Sequence, residues 1–168
     1  VGDASRTQMM FRVRTWDAVL PLLGFPITYS PAGASVTALA GEQVLCLSAA
    51  ERQAVFSRGI ILDSRAVECL LSIGQGALAG VIRKTSPAPA VQERITDKTF
   101  GGRAGDVMNL RWEGLPDQFE WDPAAQPVSC LLDYAGHKGG HGVVLFKNAL
   151  GGRVAGFPFD GQTPSLGS

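Results

Sequence analysis

The stretch from Gly59 to Gly74, Gly-Ile-Ile-Leu-Asp-Ser-Arg-Ala-Val-Glu-Cys-Leu-Leu-Ser-Ile-Gly, constrains the fold more than any other, because a short β-branched run passes directly into a helix-forming run. Ile60 to Leu62 reads as a buried strand. Asp63 or Ser64 then stands where a side-chain oxygen caps the first helical turn. Ala66, Val67, Leu70, Leu71 and Ile73 fall on one helical stripe, and Gly74 supplies the stop. A strand feeding straight into a helix is the grammar of layered α/β proteins. No Gly-x-Ser-x-Gly, Gly-x-Cys-x-Gly or glycine-rich phosphate loop follows the strand, so the place where such folds carry a nucleophile holds a cap.

The same reading extends in both directions. Trp16, Val19, Leu20, Leu22 and Leu23 form a short apolar helical face that Pro21 kinks or cuts short. Phe25 to Tyr29 and Val36 to Leu39 read as strands, and Ser48-Ala-Ala-Glu51 is a capping box that opens a helix over residues 49–57. The helix after Asp63 runs over 64–73, and Ala77 to Ile82 reads as the next buried strand. Beyond the loop Thr85-Ser-Pro-Ala-Pro-Ala the pattern becomes short β runs parted by glycine and proline: 91–95, 106–111, 118–121, 127–134, 142–148 and 153–157. Leu150-Gly-Gly152 makes the last two a hairpin, with Lys147, Asn148 and Arg153 around its turn. The expectation is one α/β domain over 1–168, with an α/β part over 15–82 and a β-rich part over 90–160.

Fifteen Lys and Arg balance fifteen Asp and Glu, which removes the electrostatic basis for binding nucleic acid or an anionic membrane. No apolar run is long enough to span a bilayer as a helix. Neutrality with 45% hydrophobic residues suggests a domain covered by other domains of its chain or by further copies of itself. The chain begins Val1-Gly-Asp without a charged and apolar leader and reads as a piece of a larger protein, with its cellular location open. Cys46, Cys69 and Cys130 are odd in number and lie in apolar segments, the pattern of buried thiols rather than of a disulfide framework or a zinc site.

Three groups of residues can carry chemistry. Trp112 and Trp121 stand among Glu113, Asp117, Glu120 and Asp122, and flat aromatic faces beside carboxylates suit a sugar ring. Trp112, Glu113, Trp121 and Asp122 are therefore the candidate carbohydrate-binding residues, against the simpler reading that the tryptophans close the core. The same acids do not make a convincing glycosidase pair, because acid and base normally come from separate elements across a cleft. His137-Lys-Gly-Gly-His141 has a metal-ligand spacing but sits on a loop with only two ligands, so His137 and His141 are weak metal candidates, even with Asp133 and Asp160 in the vicinity. Arg103 in Gly101-Gly-Arg-Ala-Gly105 lacks the following helix that a phosphate cradle needs. No catalytic residue and no cofactor are assigned.

The order Leu47-Ser-Ala-Ala-Glu51, Gly59-Ile-Ile-Leu-Asp-Ser-Arg-Ala66, Ile73-Gly-Gln-Gly-Ala-Leu-Ala-Gly-Val81 and Asn148-Ala-Leu-Gly-Gly-Arg-Val-Ala155 resembles the class I glutamine-amidotransferase-like domain related to the β-galactosidase trimerisation domain, found attached to bacterial glycosidase-like proteins. The resemblance implies a flavodoxin-like, mostly parallel sheet with flanking helices and a β-rich C-terminal half. It further implies a non-catalytic packing or oligomerisation role, since neither Cys46 nor Cys69 has the flanking glycines of a nucleophile elbow. The alternatives are a carbohydrate-binding module using Trp112 and Trp121, and a hydrolase with a site near His137 and His141.

Overall fold

A computed structural model describes residues 34–86, 89–98, 104–110 and 115–159, together with Trp16, Pro26 and Thr28. Strand β1 (Val36–Leu39) leads through two short helices, α1 (Gln43–Cys46) and α2 (Ala49–Phe56), to β2 (Gly59–Leu62), which pairs with β1 in parallel. Helix α2 carries the capping box in full: Glu51 N donates to Ser48 Oγ at 3.2 Å, and Ser48 N donates to Glu51 Oε2 at 2.8 Å. Helix α3 (Ser64–Ser72) follows β2 directly, capped by Asp63, and buries Ala66, Val67, Cys69 and Leu70. Up to this point the layers follow the sequence.

The flavodoxin-like expectation fails after α3. Ala77 to Ile82 is not one strand: Gly76–Leu78 forms a 3-10 turn, and β3 (Val81–Thr85) begins only at Val81. Strand β3 buries Val81 alone and exposes its other four residues, including Arg83 and Lys84. A central parallel strand is covered on both faces, so this segment cannot be the next one. It leaves the sheet and pairs antiparallel with β6 (Gln118–Trp121). The place beside β2 goes to β11 (Arg153–Gly156), parallel to β2, with Val154 buried. Strand β11 is the second arm of a hairpin with β10 (Val144–Lys147), and β10 also pairs antiparallel with β7 (Gln126–Pro127).

The principal sheet thus has the order β1-β2-β11-β10-β7, half parallel and half antiparallel. A second, wholly antiparallel sheet has the order β5-β4-β8-β9, from β4 (Gln92–Ile95), β5 (Val107–Asn109), β8 (Ser129–Leu132) and β9 (Lys138–His141). The molecule is β-rich, with three short helices among the described residues, and is not a parallel sheet with flanking helices. The β runs read at 91–95, 118–121, 142–148 and 153–157 lie close to β4, β6, β10 and β11, while 106–111 and 127–134 shorten to β5 and β8. The Phe25 to Tyr29 strand and the helix around Trp16 fall mostly outside the described residues; Trp16 itself is helical.

The core gathers Val44, Phe56, Ile60, Leu62, Val67, Leu70, Val81, Phe119 and Val154, drawn from helices, principal sheet and the β3-β6 pair. Asn148 ties these parts together. Its Nδ2 donates to Phe56 O at 2.8 Å and to Leu78 O at 3.2 Å, while its Oδ1 accepts from Leu150 N and Gly152 N, each at 3.0 Å. One buried amide therefore fixes the β10-β11 turn to the end of α2 and to the 3-10 turn.

Candidate functional site

Ligands of open α/β sheets bind at the C-terminal ends of parallel strands, and the end of β2 is such a position. Asp63 stands there, 1% exposed. Its Oδ1 accepts from Ala66 N at 2.7 Å and from Gly41 N at 2.9 Å, and its Oδ2 accepts from Gly41 N at 3.2 Å. The carboxylate thus joins the loop after β1 to the first turn of α3. Beside it, Ser64 N donates to Phe159 O at 2.9 Å, and Phe157 N to Leu62 O at 2.9 Å, so the chain after β11 closes over this edge. Trp16 packs edge-on against Phe157 with ring centroids 5.4 Å apart. The arrangement is a structural seam, in which the acid holds backbone and the neighbouring Ser64 hydroxyl is buried rather than presented to solvent.

The acids read as companions of the tryptophans have internal partners where they are described. Asp117 Oδ1 lies 2.6 Å from Lys84 Nζ, which also pairs with Glu68. Glu120 Oε2 lies 2.5 Å from Arg83 Nε. Asp122 Oδ1 accepts from Ala124 N at 2.8 Å, closing the turn after β6. Trp121 is half-buried, meets Phe119 edge-on at 5.9 Å, and lies over Gly156, where a side chain would strike its ring. Trp112 and Glu113, and likewise Arg103 and Asp160, lie outside the described residues.

The histidine motif is not a loop. His137 ends the turn after β8 and His141 ends β9, so the two occupy opposite ends of a strand. His137 is exposed, with Nδ1 3.4 Å from Asp133 Oδ2. Asp133 organises the turn: its Oδ1 accepts from Ala135 N and His137 N, each at 2.8 Å. The His137 amide, followed by that of Ala135, holds the Asp133 carboxyl below its usual range. His141 is half-buried, and burial together with Lys138 lowers its tendency to protonate. Among the described residues no group of three or more His, Cys, Asp or Glu is placed to hold a metal ion.

A buried polar cluster between β6 and the second sheet escaped the sequence reading. Glu93 on β4, 6% exposed, accepts from the Ser129 hydroxyl, and Ser129 Oγ in turn accepts from Val143 N at 2.7 Å. Gln118 on β6, 7% exposed, accepts from His141 N at 3.1 Å. That bond fixes the orientation of the amide and leaves Nε2 without a hydrogen-bond partner. Gly140 and Gly142 make the cluster possible: a Cβ on Gly140 would overlap the Gln118 amide, and one on Gly142 would overlap Ser129 Oγ and the Glu93 carboxylate. Glu93 sits in the polar run Val-Gln-Glu-Arg, and Gly140 and Gly142 resemble turn glycines, so nothing in the sequence marks them as neighbours.

Of the cysteines, Cys69 and Cys130 are buried and Cys46 half-buried. Burial pushes the Cys69 thiol up from its ordinary value. Among the described residues no helix is long and apolar enough to cross a membrane. In comparisons with known proteins, no family model, no curated protein and no solved structure matches the chain significantly.

Proposed function

We propose that this chain is a non-catalytic accessory or oligomerisation module, packed against other domains of a larger carbohydrate-active protein or against copies of itself. The observation that carries the reading is the β2-α3 junction, where Asp63 is buried and its oxygens are taken up by the amides of Gly41 and Ala66. A nucleophile needs an exposed side chain beside a base, and this junction offers a backbone clamp instead. The assignment to a carbohydrate-active parent rests on the sequence resemblance alone. Exposed apolar side chains on several elements support a covered surface: Val36 on β1, Leu45 on α1, Ile82 on β3, and Val107 and Met108 on β5.

The test is light scattering on the purified chain, combined with hydrolysis assays on a panel of aryl glycosides. The expected result is a mass above the 17.7 kDa of one chain and no hydrolysis. A strict monomer at high concentration that cleaves a glycoside, and stops when one carboxylate is replaced, overturns the reading. Binding to immobilised glycans that disappears in Trp112→Ala and Trp121→Ala variants would favour the carbohydrate-binding alternative.

A further inference from the structure

Cys130 and His141 are direct register partners on β8 and β9. Partners on neighbouring antiparallel strands send their side chains to the same face, with Cβ atoms about 4.5–5.5 Å apart. Cys130 is a thiol outside any disulfide and 8% exposed. His141 reaches solvent in part, yet its Nδ1 is shielded from solvent and has no hydrogen-bond partner. A shielded ring nitrogen left unpaired is costly, and such atoms in a native structure call for an explanation. The thiol directly across the strand pair does not satisfy it as a donor.

We propose that Cys130 and His141 form a two-coordinate site for a soft monovalent cation, Cu(I). A linear sulfur-metal-nitrogen bridge spans about 4 Å, somewhat less than the sum of the zinc-sulfur and zinc-nitrogen bond lengths, a reach that suits side chains on a cross-strand pair. Coordination number selects the ion. No third His, Cys, Asp or Glu joins these two among the described residues, whereas a structural zinc site takes four ligands. Thiolate with imidazole is a soft donor set, the type that selects Cu(I). Charge points the same way: binding displaces the thiol proton to solvent, and the resulting thiolate and a monovalent ion cancel, while a divalent ion would leave a net charge in a largely buried place. Two cationic side chains stand nearby, Arg94, paired with Cys130 from the other side through β4, and Lys138, whose charge acts on His141, and both are exposed to solvent. The half-exposed imidazole provides the way in for the ion.

The experiment is an anaerobic titration of the intact chain with Cu(I) against the coloured chelator bicinchoninate, followed by X-ray absorption at the copper edge. The chain is expected to withdraw one equivalent, with one sulfur and one nitrogen at the metal. Cys130→Ser and His141→Gln should each weaken binding at least ten-fold, while His137→Gln leaves it unchanged. The absorption spectrum of the unaltered chain decides the matter even where a variant folds poorly. Failure to withdraw copper, a sulfur-only spectrum, full binding in Cys130→Ser through Cys46 or Cys69, or indifference to His141→Gln in a folded variant would each overturn the proposal.

Discussion

Asn148 shows how much one side chain can hold in this molecule. All four of its hydrogen bonds go to backbone groups, two carbonyls and two amides, from three separate segments. Asn148→Asp replaces the donor that faces Phe56 O and Leu78 O with a second oxygen, so acceptor meets acceptor in a buried place. A loss of about 3 kcal/mol or more is expected from the unsatisfied groups and the buried charge, read as a drop in the denaturation midpoint without change in slope. Asp63→Ala should cost about 3 kcal/mol, combining a lost helix cap with an orphaned Gly41 amide. Gly142→Ala should cost about 1–3 kcal/mol, because its Cβ would overlap the Glu93-Ser129 pair. A midpoint unmoved by any of these changes would contradict the role assigned to that residue.

At the scale of elements, signals local in sequence survived and signals that depend on pairing did not. The cap bonds of Ser48, Glu51 and Asp63 reach only three residues along the chain, so the starts of α2 and α3 were legible, whereas the bond from Gly41 N to Asp63 spans 22 residues and was not. Val81 to Thr85 has strand character, but its place is decided by Arg83 and Lys84, whose charges find Glu120, Asp117 and Glu68 on the surface. The Glu93 cluster depends on register between strands far apart in the chain, and the Cys130-His141 pair on the register that the turn between β8 and β9 sets; neither is encoded by a local pattern. The turn between β8 and β9 gives a pH prediction. Because the Asp133 carboxyl is held below its ordinary range, its contribution to the turn is present above that range and is lost as pH falls through the lowered folded value. The protection of the Ala135 and His137 amides, taken relative to intrinsic exchange at the same pH, should therefore fall on acidification, and an Asp133→Ala chain should show low protection at every pH. Equal protection in that variant would remove Asp133 from its role.

For the whole molecule, the exposed apolar residues on β1, α1, β3 and β5 make self-association the expected behaviour in solution. Val36→Lys, on an edge strand of the principal sheet, should reduce the mass seen by light scattering without lowering thermal stability, if that edge takes part in association. An unchanged mass would move the contact to another face. The position of β11 has a consequence for biosynthesis. Strand β2 emerges early, but its second partner is made near the end of the described chain, so at about 5–20 residues per second the ribosome leaves the central strand with one side unpaired for several seconds. Nascent chains arrested before Arg153 should be protease-sensitive throughout the α/β half, and become resistant only once Gly156 has cleared the exit tunnel. Protection of the β1-β2 region thus awaits β11, made about ninety residues later.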